Sequence, residues 1–339
     1  MNTKMYIEKL TEIGGVSSNE TEIARFLSKE LSRVCDRIET DISGNVYGFI
    51  NNGNRNAKTI MLEAHMDRIG LIVSRICRDG TVLFSEAGGI DERILPYSEV
   101  EFLNEGEHIK GIILPGKNDS EEKANYSGLH IFTGMEYDEL KTKIKIGSKI
   151  LINSIFISLL GNEICSSALD NRAGIASIMK VLNDIDKYKL KYNIEILFSV
   201  GEELGLHGAF TGAAKSSADA AFVVDVTHGM TSDTKDETGV FPLGSGAIIC
   251  RGPNLHYRYT KKLIALAEKD SIPYRIEVAP QSSGTTAWAL QVSGGGIPSM
   301  LISIPLKYMH TNVEVINVKD VETTAELIIK ALEGGVDID

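Results

Sequence analysis

The chain has 339 residues, of which 43% are hydrophobic and 24% charged, and its formal net charge is −11. Those proportions exclude a disordered tail, a collagen repeat and a simple coiled coil, and the length predicts about two domains. The acidic balance argues against nucleic acid as a partner, because the Lys261-Lys262 pair and the mixed Lys141 to Lys149 stretch are too short to form a basic patch. No run of about 18 apolar residues exists to span a membrane, and the opening Met1 to Glu8 lacks the apolar core of a signal peptide. Cys35, Cys77, Cys165 and Cys250 form no C-x-x-C pair, so they predict reduced thiols and a cytoplasmic location.

Along the chain, Ile23, Phe26, Leu27, Leu31 and Val34 follow Ser17-Ser18 at helical spacing, and Glu20 three residues after Ser17 predicts a capping box. Strands are expected over 45–50 and 59–64. The runs 71–76 and 81–84 flank Arg78-Asp79-Gly80, which predicts a hairpin. From there to Asn162, short β-like runs alternate with turns marked by Gly111, Gly116, Gly128, Gly134 and Gly147, the texture of a small β module. After Asn162 the pattern changes. Helix is expected over 173–182, strands over 194–200 and 220–224, helix over 259–267, strand over 300–304 and a closing helix over 321–332. The expected fold class is therefore α/β, a mixed sheet sandwiched by helices, formed by residues 1–70 plus 162–339, with a β domain inserted at 71–161.

In an open α/β sheet, ligands bind outside the carboxyl ends of the strands. One predicted strand runs into His65-Met66-Asp67, another into Gly201-Glu202-Glu203, a third into Asp225, and a fourth leads through a short loop to His310. Asp170 stands just before a helix. Singly, each residue has an ordinary reading: a turn, a cap or a solvated pair. Together, two histidines and several carboxylates at one sheet edge match the nitrogen and oxygen donors that Zn²⁺, Co²⁺ or Mn²⁺ accepts. Asp170, Glu203 and Asp225 plus one hydroxide balance two divalent cations. His65 and Asp67 point the same way in an extended segment, so Asp67 can fix the imidazole tautomer. Of Glu202 and Glu203, one can ligate while the other faces water as a general base.

The set Ala64-His65-Met66-Asp67, Ala168-Leu169-Asp170-Asn171-Arg172, Glu202-Glu203, Asp225-Val226-Thr227 and Met309-His310 to Glu314 resembles the tetrahedral, co-catalytic metallo-aminopeptidases. That family includes glutamyl and deblocking aminopeptidases, and some members carry the label endoglucanase. The resemblance runs over nearly the whole chain. It implies that Asp170 bridges two metals, that His65 and Asp225 complete one site, and that Glu203 and His310 complete the other. It implies Glu202 as base and proton shuttle, and Asp67 as the residue that orients His65. It also implies an inserted β domain, resembling a small barrel, that makes a homodimer, and assembly of dimers into a hollow homo-dodecamer. Thr286, His207, Gly201 and Arg68 depart from the family's usual Asp, Arg, Gln and acidic residue.

The expected function is hydrolysis of the N-terminal peptide bond of short peptides with free N-termini, with two divalent ions, zinc first and cobalt or manganese as alternatives. The competing readings are a two-metal deacylase or carboxypeptidase-like amidohydrolase, and a metal-binding homologue with weakened catalysis. A glycosidase fits poorly, since the metal cage uses the carboxylates that reaction needs. Trp288 is expected in the core, and His228, close to Asp225, either touches the site or caps a loop, with the cap the favoured reading.

Overall fold

A computed structural model describes residues 1–54, 56–104, 108–116, 128–235 and 239–338. Its larger layer is an 11-stranded mixed sheet. Four parallel strands form the centre, in the order Asn193–Ser199, Thr59–His65, Ala220–His228, Ser299–Lys307. They are buried on both faces, as runs such as Ala220 to Val224 require, since a strand without polar alternation must be covered on each side. Antiparallel strands extend the sheet at both ends, among them Val46–Ile50 beside Asn193–Ser199, and Glu314–Asn317 beside the end of Ser299–Lys307.

Helices cover both faces. Leu169–Asp184 and Val318–Lys330 pack on one side with Thr3–Thr11, and His207–Lys215 and Thr286–Val292 lie together on the other. The buried Ile23, Leu27 and Leu31 of Thr21–Leu31 confirm the periodicity read there. The capping box does not form. The helix starts at Thr21 with Glu20 at its N-cap and no side-chain cap. The Glu20 carboxylate turns back to accept from the N–H groups of Ser18 and Gly201, at 2.9 and 3.2 Å, and Ser17 is drawn away to Asp67. A long-range buried acceptor has outcompeted the local cap.

The second layer is a closed six-stranded barrel, in the order Gly70–Ile76, Thr81–Ala87, Leu129–Phe132, His108–Pro115, Glu99–Leu103, Lys149–Ile152. Its own apolar centre includes Leu71, Val82, Phe102, Ile113, Ile131 and Ile150. The Gly80 turn joins the first two strands as a hairpin, with Gly80 at φ +80°. The fold is thus a mixed α/β sheet between helices, carrying a small barrel. No helix among the described residues is long and apolar enough to cross a membrane.

Candidate metal centre

The five expected ligands come together at the carboxyl edge of the central strands. His65 ends Thr59–His65, Asp225 lies on Ala220–His228, and Asp170 opens Leu169–Asp184. The helix reaches this edge because Gly174 lets it approach the neighbouring strand. A Cβ there would stand 2.8 Å from the Val224 carbonyl oxygen and 2.3 Å from Asn171 Oδ1. Asn171 fastens the junction, donating to Val224 O at 2.8 Å and accepting from Gly174 N at 3.0 Å.

Asp170 faces two ways. Its Oδ1 lies 3.1 Å from His65 Nε2, and its Oδ2 lies 3.5 Å from His310 Nε2. His65 Nε2 is also 3.7 Å from Asp225 Oδ1, and His310 Nε2 is 3.4 Å from Glu203 Oε2. Two donor sets result, each spanning less than 4.8 Å: His65, Asp170 and Asp225, and Asp170, Glu203 and His310. Nitrogen and carboxylate donors in three-fold groups, sharing one carboxylate, fit a pair of divalent ions.

The electrostatics fit the same occupant. Burial raises Asp170, but hydrogen bonds from His310 and His65 outweigh it and hold the carboxyl below its ordinary range. Burial raises Asp225 and pushes Glu203 far up, with Asp170 adding to both. Burial also pushes Glu202 up to about 8, against the pull of His65 and with repulsion from Asp225 and Asp170. So many carboxylates gathered away from water need cations to stay ionised together. Glu202 lines the cavity but belongs to neither donor set.

Asp67 does more than face His65. The His65 Nδ1 atom lies 3.2 Å from the Asp67 carbonyl oxygen and 3.4 Å from Asp67 Oδ1. The Asp67 carboxylate accepts from Glu202 N at 3.0 Å, Glu203 N at 3.2 Å and Ser17 Oγ at 2.6 Å. One buried carboxylate thereby fixes both an imidazole and the backbone of the glutamate pair. That pair lies in a turn closed by Gly205 N and Leu206 N on Glu202 O, not in an extended strand. Glu314 ties two ligands together, accepting from Asp170 N at 3.2 Å and His310 N at 3.1 Å. Ala168, Leu206 and His310 all adopt left-handed backbone conformations, near +60° in φ, a concentration of strain beside functional side chains.

The cavity above these residues is about 530 Å³. Its far wall holds Thr227, His228, Glu277 and Trp288, which sequence reasoning did not assign to a site. Trp288 is 38% exposed and faces the cavity instead of the core, and His228 lines it instead of capping a loop. Glu277 gave no signal in sequence because it sits in an alternating strand, Tyr274–Val278, where a glutamate reads as solvated. Of the departing residues, Thr286 and Arg68 are buried and His207 is exposed. Thr286 donates to the buried Glu63, which Ser199 also contacts at 2.6 Å. Arg68 is buried, with its guanidinium 3.5 Å from Ile152 O.

The chain is similar to known aminopeptidases over nearly its whole length. A lysyl aminopeptidase of Pyrococcus furiosus is 28% identical over 96% of this chain and 96% of its own. The solved aminopeptidase of the archaeon Desulfurococcus kamchatkensis superposes with a TM-score of 0.92 at 29% identity, covering 98% of this chain and 95% of that one. The Pyrococcus horikoshii TET1 peptidase, which can assemble into a tetrahedron or a large octahedral shell, superposes with a TM-score of 0.86 at 26% identity over 98% of this chain and 99% of that one. The profile of the M42 glutamyl aminopeptidase family matches residues 44–327, so the chain belongs to that family of hydrolases.

Proposed function

We propose that this aminopeptidase removes N-terminal residues from short peptides with two divalent ions, zinc first and cobalt or manganese as alternatives. The observation that carries the reading is Asp170, whose two oxygens face the imidazoles of two separate donor sets. Bound there, divalent ions supply Lewis acidity, polarising the scissile carbonyl and acidifying a water. His65, Asp170 and Asp225 would hold one ion, and Asp170, Glu203 and His310 the other. Glu202 takes the proton of the attacking water and returns it to the departing amine, a role open to a carboxylate outside both ligand sets. Asp67 orients His65 and anchors the Glu202 backbone.

The reading extends to the architecture. Residues 1–70 plus 162–339 carry the chemistry, and residues 71–161 serve self-association into a homodimer and then a homo-dodecamer. Support comes from apolar side chains left in water: Ile112 and Phe132 on the barrel, and Ile155, Ile157 and Leu160 at the edge of the large sheet, are 45%, 50%, 80%, 46% and 93% exposed. The free thiols fit a cytoplasmic location.

The test is hydrolysis of matched free and N-acetylated peptides by stripped protein, reconstituted with Zn²⁺, Co²⁺ or Mn²⁺. Metal-dependent release from the free set alone is expected. Cleavage of acetylated peptides would instead establish a deacylase. Ion binding with silence on both sets would establish a weakened homologue.

A further inference from the structure

Five carboxylates line the cavity: Asp170, Glu202, Glu203, Asp225 and Glu277. Among the described residues, no lysine or arginine lines it. Under the aminopeptidase reading, on which this inference rests, the first four are accounted for. Asp170, Glu203 and Asp225 would hold metal, and Glu202 would serve as the base. Glu277 is left over, a cavity-lining carboxylate with no cation assigned to it.

Its placement is built by two strands. Tyr274–Val278 pairs in parallel with Ala247–Arg251, setting Glu277 beside Cys250, which is itself buried and lines the same cavity. Thr227 donates to Glu277 Oε1 at 2.7 Å, and among the described residues it is the only donor to that carboxylate. Oε2 is therefore available to a ligand. Thr227 stands two residues beyond Asp225 on one strand, so both side chains share a face and lie about 7 Å apart along it. The four-carbon stem of a lysine, or the arginine side chain, spans that interval. Cys250, Ala279, Leu301 and Trp288 line the wall along which methylenes would lie. The charged and titratable groups facing Glu277 are His228, Asp225 and the Cys250 thiol, and none supplies a fixed positive charge.

We propose that Glu277 is the specificity-determining residue of this site, and that it selects peptides whose N-terminal residue is lysine or arginine. The ammonium or guanidinium group pairs with Glu277 Oε2, while Thr227 holds Oε1 and fixes the carboxylate plane. An acidic N-terminal residue is repelled by the same charge. A neutral residue of equal length makes the apolar contacts but leaves the carboxylate unpaired.

The test uses metal-loaded protein and two readouts. The first is calorimetric binding of free lysine, norleucine and glutamate, since norleucine matches the lysine stem without its charge. The second is hydrolysis of the corresponding amino-acid amides. Lysine is expected to bind about 10- to 100-fold tighter than norleucine, the size of a charge-assisted hydrogen bond, and glutamate weaker than both. In Glu277→Gln the lysine-to-norleucine ratio should fall towards one, through KM more than kcat, and Glu277→Asp should recover part of it. Equal binding of lysine and norleucine by the parent protein, or a ratio unmoved in Glu277→Gln, would overturn the proposal. Hydrolysis without lysine preference would overturn it while leaving the aminopeptidase reading intact. Lysine preference in binding without hydrolysis of any amide would do the reverse.

Discussion

Glu202 and Cys250 lie in one cavity and have opposite chemical prospects. Glu202 belongs to neither donor set, so Glu202→Gln should bind metal as the parent does and lose turnover by about 10²- to 10⁴-fold. Retained turnover in that variant would remove Glu202 from its role. Cys250 borders the same space, but burial pushes its thiol up to about 12, and burial pushes Cys35 up to about 11. A raised thiol pKa leaves almost no thiolate at pH 8, and the thiolate is the reactive form. Mass spectrometry after alkylation at pH 8 should find both unmodified in folded protein and modified after unfolding. Rapid labelling of folded Cys250 would show that its burial is wrong.

The five residues proposed as metal ligands could be singled out in the sequence because each follows an apolar run that had to be a strand, or opens a helix, at the edge where α/β folds bind ligands. Ser17 and Glu314 were not legible in their structural parts. Each acts by hydrogen bonds to residues distant in sequence or to backbone N–H groups, which no local pattern encodes. Glu277 was hidden for a related reason. Its strand joins the sheet through Ala247–Arg251, and neither strand was expected from the sequence.

Between elements, one tight joint is the start of His207–Lys215 against the end of Asn193–Ser199. Gly208 N donates to Val200 O at 2.8 Å, while Asn45 bridges the two, donating to Gly208 O and accepting from Val200 N, both at 3.0 Å. A Cβ on Gly208 would lie 2.3 Å from Val200 O and 2.4 Å from Val200 N, atoms of a buried backbone that cannot swing aside. Gly208→Ala should therefore cost about 1–3 kcal/mol in urea unfolding, in the range for overpacking. It should also lower kcat/KM, because the displaced turn carries Glu202 and Glu203. A variant as stable and active as the parent would contradict this packing. The same joint explains why the glutamate pair is not extended as the sequence suggested. The chain must leave the strand, pass Gly201 at φ +60° and enter a helix within a few residues, and only a turn fits.

Across the chain, the division into a doubly covered sheet and a closed barrel was legible from texture: continuous apolar runs on one hand, short glycine-punctuated strands on the other. The order of strands was not legible, because register between distant segments is set by tertiary packing. At the carboxyl edge of the large sheet lies a cage of buried carboxylates that calls for positive charge among them. Titrating metal-free protein with Zn²⁺, Co²⁺ or Mn²⁺, while recording both bound metal and release of N-terminal residues from unblocked peptides, examines that cage directly. Activity should be absent at the start, rise with added ion and level off at two ions per chain. Full activity without metal, or a plateau at a single ion per chain, would contradict a site built around the shared Asp170.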